Sequence, residues 1–193
     1  MPEARENDEL LVARAQGGDG AAFGQLVERY QDAIFNGISR MVGRREDVED
    51  LAQEVFLKAF RGIARFDGRS ALYTWLYAIA INTVISHRRK VGARANVGPM
   101  PSYDGDDEGG SFEMADDADP PDAIAEQREL RAMVERAIDR IDPEYRVALV
   151  LRDVEGFDYE TIADLLGVPQ GTVKSRIHRA RSALREQLKD AVA

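Results

Sequence analysis

The 193-residue sequence predicts an all-α fold of two small helical domains joined by a flexible acidic linker, the second domain containing a helix-turn-helix. Three observations carry that prediction. Apolar residues recur three and four positions apart in several long windows, as on one face of a helix. No stretch alternates apolar and polar residues with the period of a strand. The composition changes once, near Val91, into glycine, proline and acid, and changes back near Ile124. The boundaries that follow are residues 1–92, 93–123 and 124–193.

In chain order, Asp19 is a predicted helix N-cap, followed by a stripe of Phe23, Leu26, Val27, Tyr30, Ile34, Ile38 and Met41. A charged turn at Gly43–Glu46 leads to a second helix with Val48, Leu51, Ala52, Val55, Phe56 and Ala59 inside, and Phe60 is assigned to the same core. Phe66–Ser70, which contains Asp67 and Gly68, reads as a loop. A third helix, apolar through Ile85, spans Leu72 to about Arg89. The stretch from Val91 to Pro121 has too few apolar residues to offset its ordering entropy and is expected to be a flexible linker. Helical spacing resumes with Leu130, Val134, Ala137, Ile138 and Ile141. Asp142-Pro143 then starts another helix, proline being suited to a first turn. Two short helices around Gly167-Val168-Pro169 complete the chain, the last with Val173, Ile177, Ala180 and Leu184 on one stripe.

Bulk properties narrow the function. The chain has no cysteine, which excludes disulfides and thiolate metal sites. Its start, MPEARENDELL, is too polar for a signal peptide. No stretch approaches the roughly 20 apolar residues that span a bilayer. A soluble, cytoplasmic protein without membrane insertion is expected.

The net charge of −9 is segregated. Ten acids and no base lie between Ala95 and Gln127, and outside that strap 25 acids face 26 bases. From Arg69 to Arg94 there are five bases and no acid. Segregation of this kind marks interaction surfaces. Two histidines, no phosphate-cradling glycine motif and no Ser/His/Asp framework give no support to an enzyme, a cofactor or a metal site. His178 has no second ligand near it in sequence.

Opposite the last helix's apolar stripe lie Ser175, His178, Arg179 and Ser182, flanked by Lys174 and Arg176, with Thr172 one turn earlier. A helix-turn-helix presents such a face to the DNA major groove, where arginine and lysine suit guanine edges. Arg181, Arg185 and Lys189 lie further along and suit phosphates. A second candidate is aromatic. Five of the chain's 14 aromatics, Phe60, Phe66, Tyr73, Trp75 and Tyr77, fall within 18 residues. Aromatics beside a Gly/Ser loop and a basic helix end suit bases stacked outside the duplex. At least one of Tyr73, Trp75 and Tyr77 must nonetheless face inward on so apolar a helix.

DVEDLAQEVFLKAF, then FDGRSALYTWLYAIAINT, then the acidic strap, then GVPQGTVKSRIHRAR occur in an order that resembles a bacterial RNA polymerase sigma factor of the extracytoplasmic-function type. The resemblance covers nearly the whole chain. It implies a promoter-specificity subunit, without chemistry of its own, serving a dedicated stress-related regulon. Residues 1–92 would be the domain that binds core polymerase and opens the minus-ten element, and 124–193 the domain that reads the minus-thirty-five element. By the same likeness, Asp50, Gln53, Glu54 and Leu57 would dock on the β′ coiled coil. Phe66, Gly68, Arg69 and Ser70 would frame a flipped base that Asn82 helps read, Tyr73, Trp75 and Tyr77 would take part in melting, and Arg88, Arg89 and Lys90 would hold the backbone. Thr172, Lys174, Ser175, Arg176, His178 and Arg179 would read the upstream element. The implied partners are core RNA polymerase (the β′ coiled coil and the β subunit), promoter DNA and an anti-sigma factor. The acidic strap would thread toward the polymerase active-centre channel. The other reading, a polymerase-independent helix-turn-helix regulator, needs a dimer and leaves the aromatic loop unexplained.

Overall fold

A computed structural model describes residues 2–43, 47–95 and 132–192, and every regular element among them is helical. The stretch 96–131, on which most of the predicted linker falls, lies outside the described residues. The elements are α1 (Pro2–Gln16), α2 (Gly20–Val42), α3 (Val48–Gly62) with a 3-10 turn at Ile63–Arg65, and α4 (Leu72–Ala95). After the undescribed stretch come a helix of which residues 132–139 are described (α5), α6 (Pro143–Leu149) running into a π turn at Val150–Val154, α7 (Tyr159–Leu166) and α8 (Gln170–Val192).

The local signals act as chemistry requires. The Asp19 carboxylate accepts from the N–H groups of Ala21 and Ala22 and so caps α2. From α2, Ala22, Phe23, Leu26, Ile34, Ile38 and Met41 are buried against Val48, Leu51, Val55 and Ala59 of α3 and Leu76, Ala80, Ile81 and Val84 of α4. Asp142 accepts from the Glu144 N–H with Pro143 in the first turn of α6. Asp158 accepts from the Thr161 N–H and caps α7. Gly167 ends α7 at φ 64°, a left-handed position that a side chain strains, and its N–H returns to the carbonyls of Ala163 and Asp164.

Three features differ from the sequence expectation. Helix α1 lies outside the sequence expectation, because its first eight residues are mostly charged or polar and its buried apolar residues, Leu11, Val12 and Ala15, fall in its second half. Its Asp8 is also buried, accepting from Arg29 and the Tyr30 hydroxyl of α2. Second, α4 continues to Ala95, past the composition change at Val91. Third, Phe60 is not a core residue. It is 55% exposed, since Ala59 already occupies the inner stripe one position earlier, and its ring meets Phe23 only edge-on at 5.1 Å.

The two halves touch, and one apolar cluster runs through both. Phe157, between the π turn and α7, lies 5.8 Å from Tyr73 and 5.4 Å from Tyr77 of α4, centroid to centroid. The Tyr73 hydroxyl donates to Glu155 at 2.6 Å. At the other end of the seam the buried Arg146 of α6 lies against Gly43, where a methyl group would strike its guanidinium. Arg146 donates to the carbonyls of Asp139 and Ile141 and pairs with the Asp139 carboxylate at 3.6 Å.

Candidate nucleic-acid interface

Helix α8 owes its orientation to a stripe with no polar member. Val173, Ile177 and Ala180 are buried, and Leu184 is partly buried in a smaller cluster with Ile141, Leu149 and Tyr145. At 100° per residue this turns Lys174, Ser175, His178 and Arg179 outward, and all four are exposed. The structure therefore brings them together on one face beside the Gly167 turn. Ser175 donates to the Thr172 carbonyl at 2.9 Å, and Thr172 is half-buried in the first turn. Lys174 sits over the Tyr159 ring at 5.7 Å. Arg176 bends back to Glu144 at 2.8 Å and is only partly exposed, so it stands apart from the outward set. Arg181 forms a two-pronged pair with Asp153, and that bond raises its already high pKa.

The aromatic segment divides by burial. Tyr77 is fully buried, its hydroxyl donating to the Ala33 carbonyl at 3.2 Å, and it packs over Gly37 of α2. Grouped by sequence with the melting residues, it is a core residue in this structure: Gly37 of α2, Tyr73 and Phe157 enclose its ring and leave none of it exposed. Tyr73 is half-buried in the seam between the halves. Burial, reinforced by the bond to Glu155, pushes its hydroxyl pKa up to about 12. Trp75 is also half-buried, 5.1 Å from Phe66, and lines a cleft of about 440 Å³.

That cleft opens between α3 and α4. Lys58, Arg65, Asn82 and Thr83 supply its polar groups, and Trp75 and Ile79 supply apolar wall. Lys58 donates to the Thr83 hydroxyl at 3.0 Å and pairs with Glu54 at 2.7 Å, tying the two helices across it. That hydrogen bond holds the Glu54 carboxyl below its usual range. Asn82 is exposed and donates one N–H to the Ala78 carbonyl, which leaves its amide oxygen and second N–H for a ligand. An aromatic wall with cations and an amide edge can hold a planar base against a phosphate backbone.

Beside the cleft, the loop from Phe66 to Ser70 exposes Gly68, Arg69 and Ser70. Asp67 accepts from the Arg69 N–H and pairs with its guanidinium at 2.5 Å, and the backbone bond keeps the Asp67 carboxyl ionised below its usual range. The loop is anchored by Gln16, whose amide donates to the carbonyls of Ile63 and Phe66 at 3.0 and 2.7 Å. Sequence reasoning missed Gln16, since a contact 50 residues away leaves no local signal. Arg89 and Lys90 are exposed at the basic end of α4. Arg88, expected to hold a DNA backbone, is half-buried and donates to the Met41 carbonyl at the C-terminal end of α2, at 2.6 Å. Burial, with Arg146 close by, lowers its pKa.

A separate face lies on the outer side of α3. Asp50, Gln53, Glu54 and Leu57 are all exposed, Leu57 by 55%. Phe60, three residues beyond Leu57 and seven beyond Gln53, joins the same ridge. Two large exposed apolar side chains three positions apart amid polar neighbours have the chemistry of a candidate protein-binding surface. The spacing from Gln53 was the signal that could have placed Phe60 there. Among the described residues no group of His, Asp and Glu is arranged to hold a metal, and no helix is long and apolar enough to cross a membrane.

Comparison with known proteins matches most of the chain. Residues 26–94 match the family described as Sigma-70 region 2, and residues 131–184 match Sigma-70, region 4. The chain is 41% identical over 184 residues to the RNA polymerase sigma-H factor of Pseudomonas aeruginosa, covering 95% of each. It is 39% identical over 179 residues to the ECF RNA polymerase sigma-E factor of Escherichia coli, covering 92% of each. Two solved structures resemble its fold. One is CnrH in complex with the cytosolic domain of CnrY, with a TM-score of 0.63 at 25% identity, covering 97% of this chain and 99% of that one. The other is the sigma factor RpoE in complex with the anti-sigma factor NepR from Bartonella quintana, with a TM-score of 0.64 at 27% identity, covering 86% and 96%.

Proposed function

Because the chain belongs to the extracytoplasmic-function sigma factors of the sigma-70 family, we infer that it is a promoter-specificity subunit of RNA polymerase. It binds the core enzyme, recognises and opens promoters, and starts transcription of a dedicated set of genes. It does no bond chemistry itself, and it works in the cytoplasm. The observation that carries this reading is that both family regions are present in one chain, in order, each on its own helical half. A free-standing helix-turn-helix regulator accounts for the second half only. An anti-sigma factor is its expected inhibitor, as two of the solved relatives are complexes with such inhibitors or with a partner's cytosolic domain.

The residue roles follow from exposure and chemistry. The ridge of Asp50, Gln53, Glu54, Leu57 and Phe60 docks on the β′ coiled coil, the apolar pair supplying binding energy and the acids supplying register. The loop at Phe66, Gly68, Arg69 and Ser70 and the cleft at Trp75, Asn82, Lys58 and Arg65 receive a base flipped from the minus-ten element. Arg89 and Lys90 hold the adjoining backbone. Lys174, Ser175, His178 and Arg179 read the minus-thirty-five element, with Thr172 at the helix start. Tyr73 contributes to opening once it is released from Glu155 and Phe157.

Transcription reconstituted from core polymerase, this chain and a cognate promoter tests the reading. Initiation at one site only when both proteins are present is the expected result. Tight sequence-specific duplex binding by the chain alone, with no gain from polymerase, would overturn it.

A further inference from the structure

We propose that Tyr145 is a positioning residue for Arg179, and through it sets how strictly α8 discriminates one base pair of the upstream promoter element. The inference rests on the promoter-reading role of α8 given above.

Tyr145 lies on α6, outside the recognition helix. Its ring is half-buried and packs on the cluster of Ile141, Leu149 and Ala180, with Ala183 and Leu184 closing the sides. That packing fixes the ring, and its hydroxyl end reaches the exposed face of α8. There Arg179 Nη1 donates to the Tyr145 oxygen at 2.8 Å, and the guanidinium carbon stands 5.6 Å from the ring centroid. Both contacts bind the same side chain to the same rigid platform.

The neighbouring arginines are held differently. Arg176 faces the carboxylate of Glu144, and Arg181 faces that of Asp153. Those pairs neutralise charge and occupy the guanidinium with an anion. A tyrosine hydroxyl brings no carboxylate to the contact, so it accepts one N–H and leaves the guanidinium charge of Arg179 without a counter-ion there. With Nη1 engaged, the Nε and Nη2 edge stays open. That edge offers the two parallel donors that match the O6 and N7 acceptors of guanine. A long side chain ordered before it meets DNA loses less rotamer freedom on binding. Misaligned recognition is penalised more heavily too, because the fork has fewer ways to accommodate a wrong base.

The test uses the holoenzyme formed from core polymerase and the full chain. Initiation is measured across a promoter set carrying every single base-pair change in the upstream element. Arg179→Ala identifies the base pair that Arg179 reads, as a flattened preference at that position. Tyr145→Phe keeps the ring and its packing but removes the acceptor. It is expected to reduce discrimination at the same base pair by roughly two- to tenfold, the range of one net hydrogen bond. Other positions stay unchanged, and so does the thermal midpoint of the free chain. In the Arg179→Ala background, Tyr145→Phe changes nothing further.

A uniform fall across all promoters with Tyr145→Phe, or an effect that persists without Arg179, overturns the proposal. If Arg179→Ala flattens one position and Tyr145→Phe does not, the tyrosine's role alone is refuted. If Arg179→Ala leaves every preference intact, the base-reading assignment fails and this inference fails with it.

Discussion

Two glycines on the same helix separate the packing of α4 from ordinary helix propensity. Gly24 and Gly37 both lie inside α2, and replacing an interior helical glycine with alanine contributes about 0.5–1 kcal/mol. At Gly24 an added methyl meets nothing within 4 Å, so the full gain is expected. At Gly37 it would lie 2.9 Å from Tyr77 Cζ and 3.1 Å from Cε1, with the hydroxyl oxygen nearer still. Carbon atoms pack at about 3.5–4.0 Å, so something must move. Tyr77 cannot swing away: it is fully buried, bonded to Ala33 O, and backed by Tyr73 at 4.8 Å and Phe157 at 5.4 Å. Helix α4 itself must retreat. Overpacking of this sort costs about 1–3 kcal/mol, which outweighs the propensity gain and leaves Gly37→Ala destabilised by roughly 1–2 kcal/mol.

Urea unfolding followed by the fluorescence of Trp75, the single tryptophan, reports on the half that contains both sites. Gly24→Ala should raise the midpoint and Gly37→Ala should lower it. In thermal unfolding, 1 kcal/mol corresponds to roughly 4–8 °C for a domain of this size. A double-mutant cycle adds the mechanism: in a Tyr77→Leu background the penalty of Gly37→Ala should shrink, because the obstructing ring is gone. Equal stabilisation by the two alanines would mean that Tyr77 is not wedged over Gly37. The orientation given to α4, and with it the cleft at Trp75 and Asn82, would then be wrong.

Other outcomes follow from the same geometry. Leu57→Asp and Phe60→Ala should each weaken association with core polymerase about tenfold, the loss of roughly 1–2 kcal/mol of apolar burial. Leu57→Asp should leave the free chain's unfolding midpoint unchanged, whereas Phe60→Ala also loses its edge-on contact with Phe23 and should lower that midpoint slightly. Titration of labelled core polymerase reads the association, and unchanged affinity in both variants would remove the α3 ridge from the interface. Asp158→Ala should lower the thermal midpoint at neutral pH. The Thr161 N–H bond holds the Asp158 carboxyl below its usual range, so its contribution is present above the ordinary aspartate range and lost as pH falls through the depressed value. The gap between variant and parent should therefore close in acid, and a gap constant down to that range would contradict the capping role. Phe157→Ala removes two ring contacts worth about 1–3 kcal/mol together, shifting the balance toward separated halves roughly tenfold or more. Small-angle scattering should show a larger radius of gyration, and an unchanged radius would mean that the seam rests on other contacts.

Much of this architecture is legible locally. Asp19, Asp142-Pro143, Asp158 and Gly167 each act within four residues of themselves, so a sequence displays them fully. The outward face of α8 is equally legible, because Val173, Ile177 and Ala180 leave only one way for Lys174, Ser175, His178 and Arg179 to point. Legibility fails where a choice depends on a distant partner. In α4, apolar nearly all round from Leu72 to Ile81, no periodicity says which ring turns inward, and the gap at Gly37 on another helix decides for Tyr77. Ala59 and Phe60 are adjacent candidates for one inner position, and the close approach of α2 favours the smaller. Arg88 sits in a basic run that suits DNA, yet the carbonyl end of α2 claims it. Helix α1 is hidden because its buried apolar residues are confined to Leu11, Val12 and Ala15, too short a run to show a period, although through Gln16 it supports the loop at Phe66.

Tyr73 is where the fold and the proposed function compete. Its hydroxyl cannot donate to Glu155 while its ring, stacked beside Phe157, also receives a base, since both faces of the contact lie in the seam. The arrangement described here and one that grips melted DNA are therefore mutually exclusive at this residue. Separation is feasible in covalent terms: the 36 residues at 96–131 can span up to about 3.3–3.6 Å each, far more than the seam requires. Around Tyr73 the contacts to be broken are a hydrogen bond to a carboxylate and two aromatic pairs, and the apolar cluster shared by both halves and the Arg146 contact at Gly43 add to them. Under the proposed function, the ridge of Leu57 and Phe60 docking on polymerase and α8 docking on DNA would supply the energy that separates the halves at Tyr73.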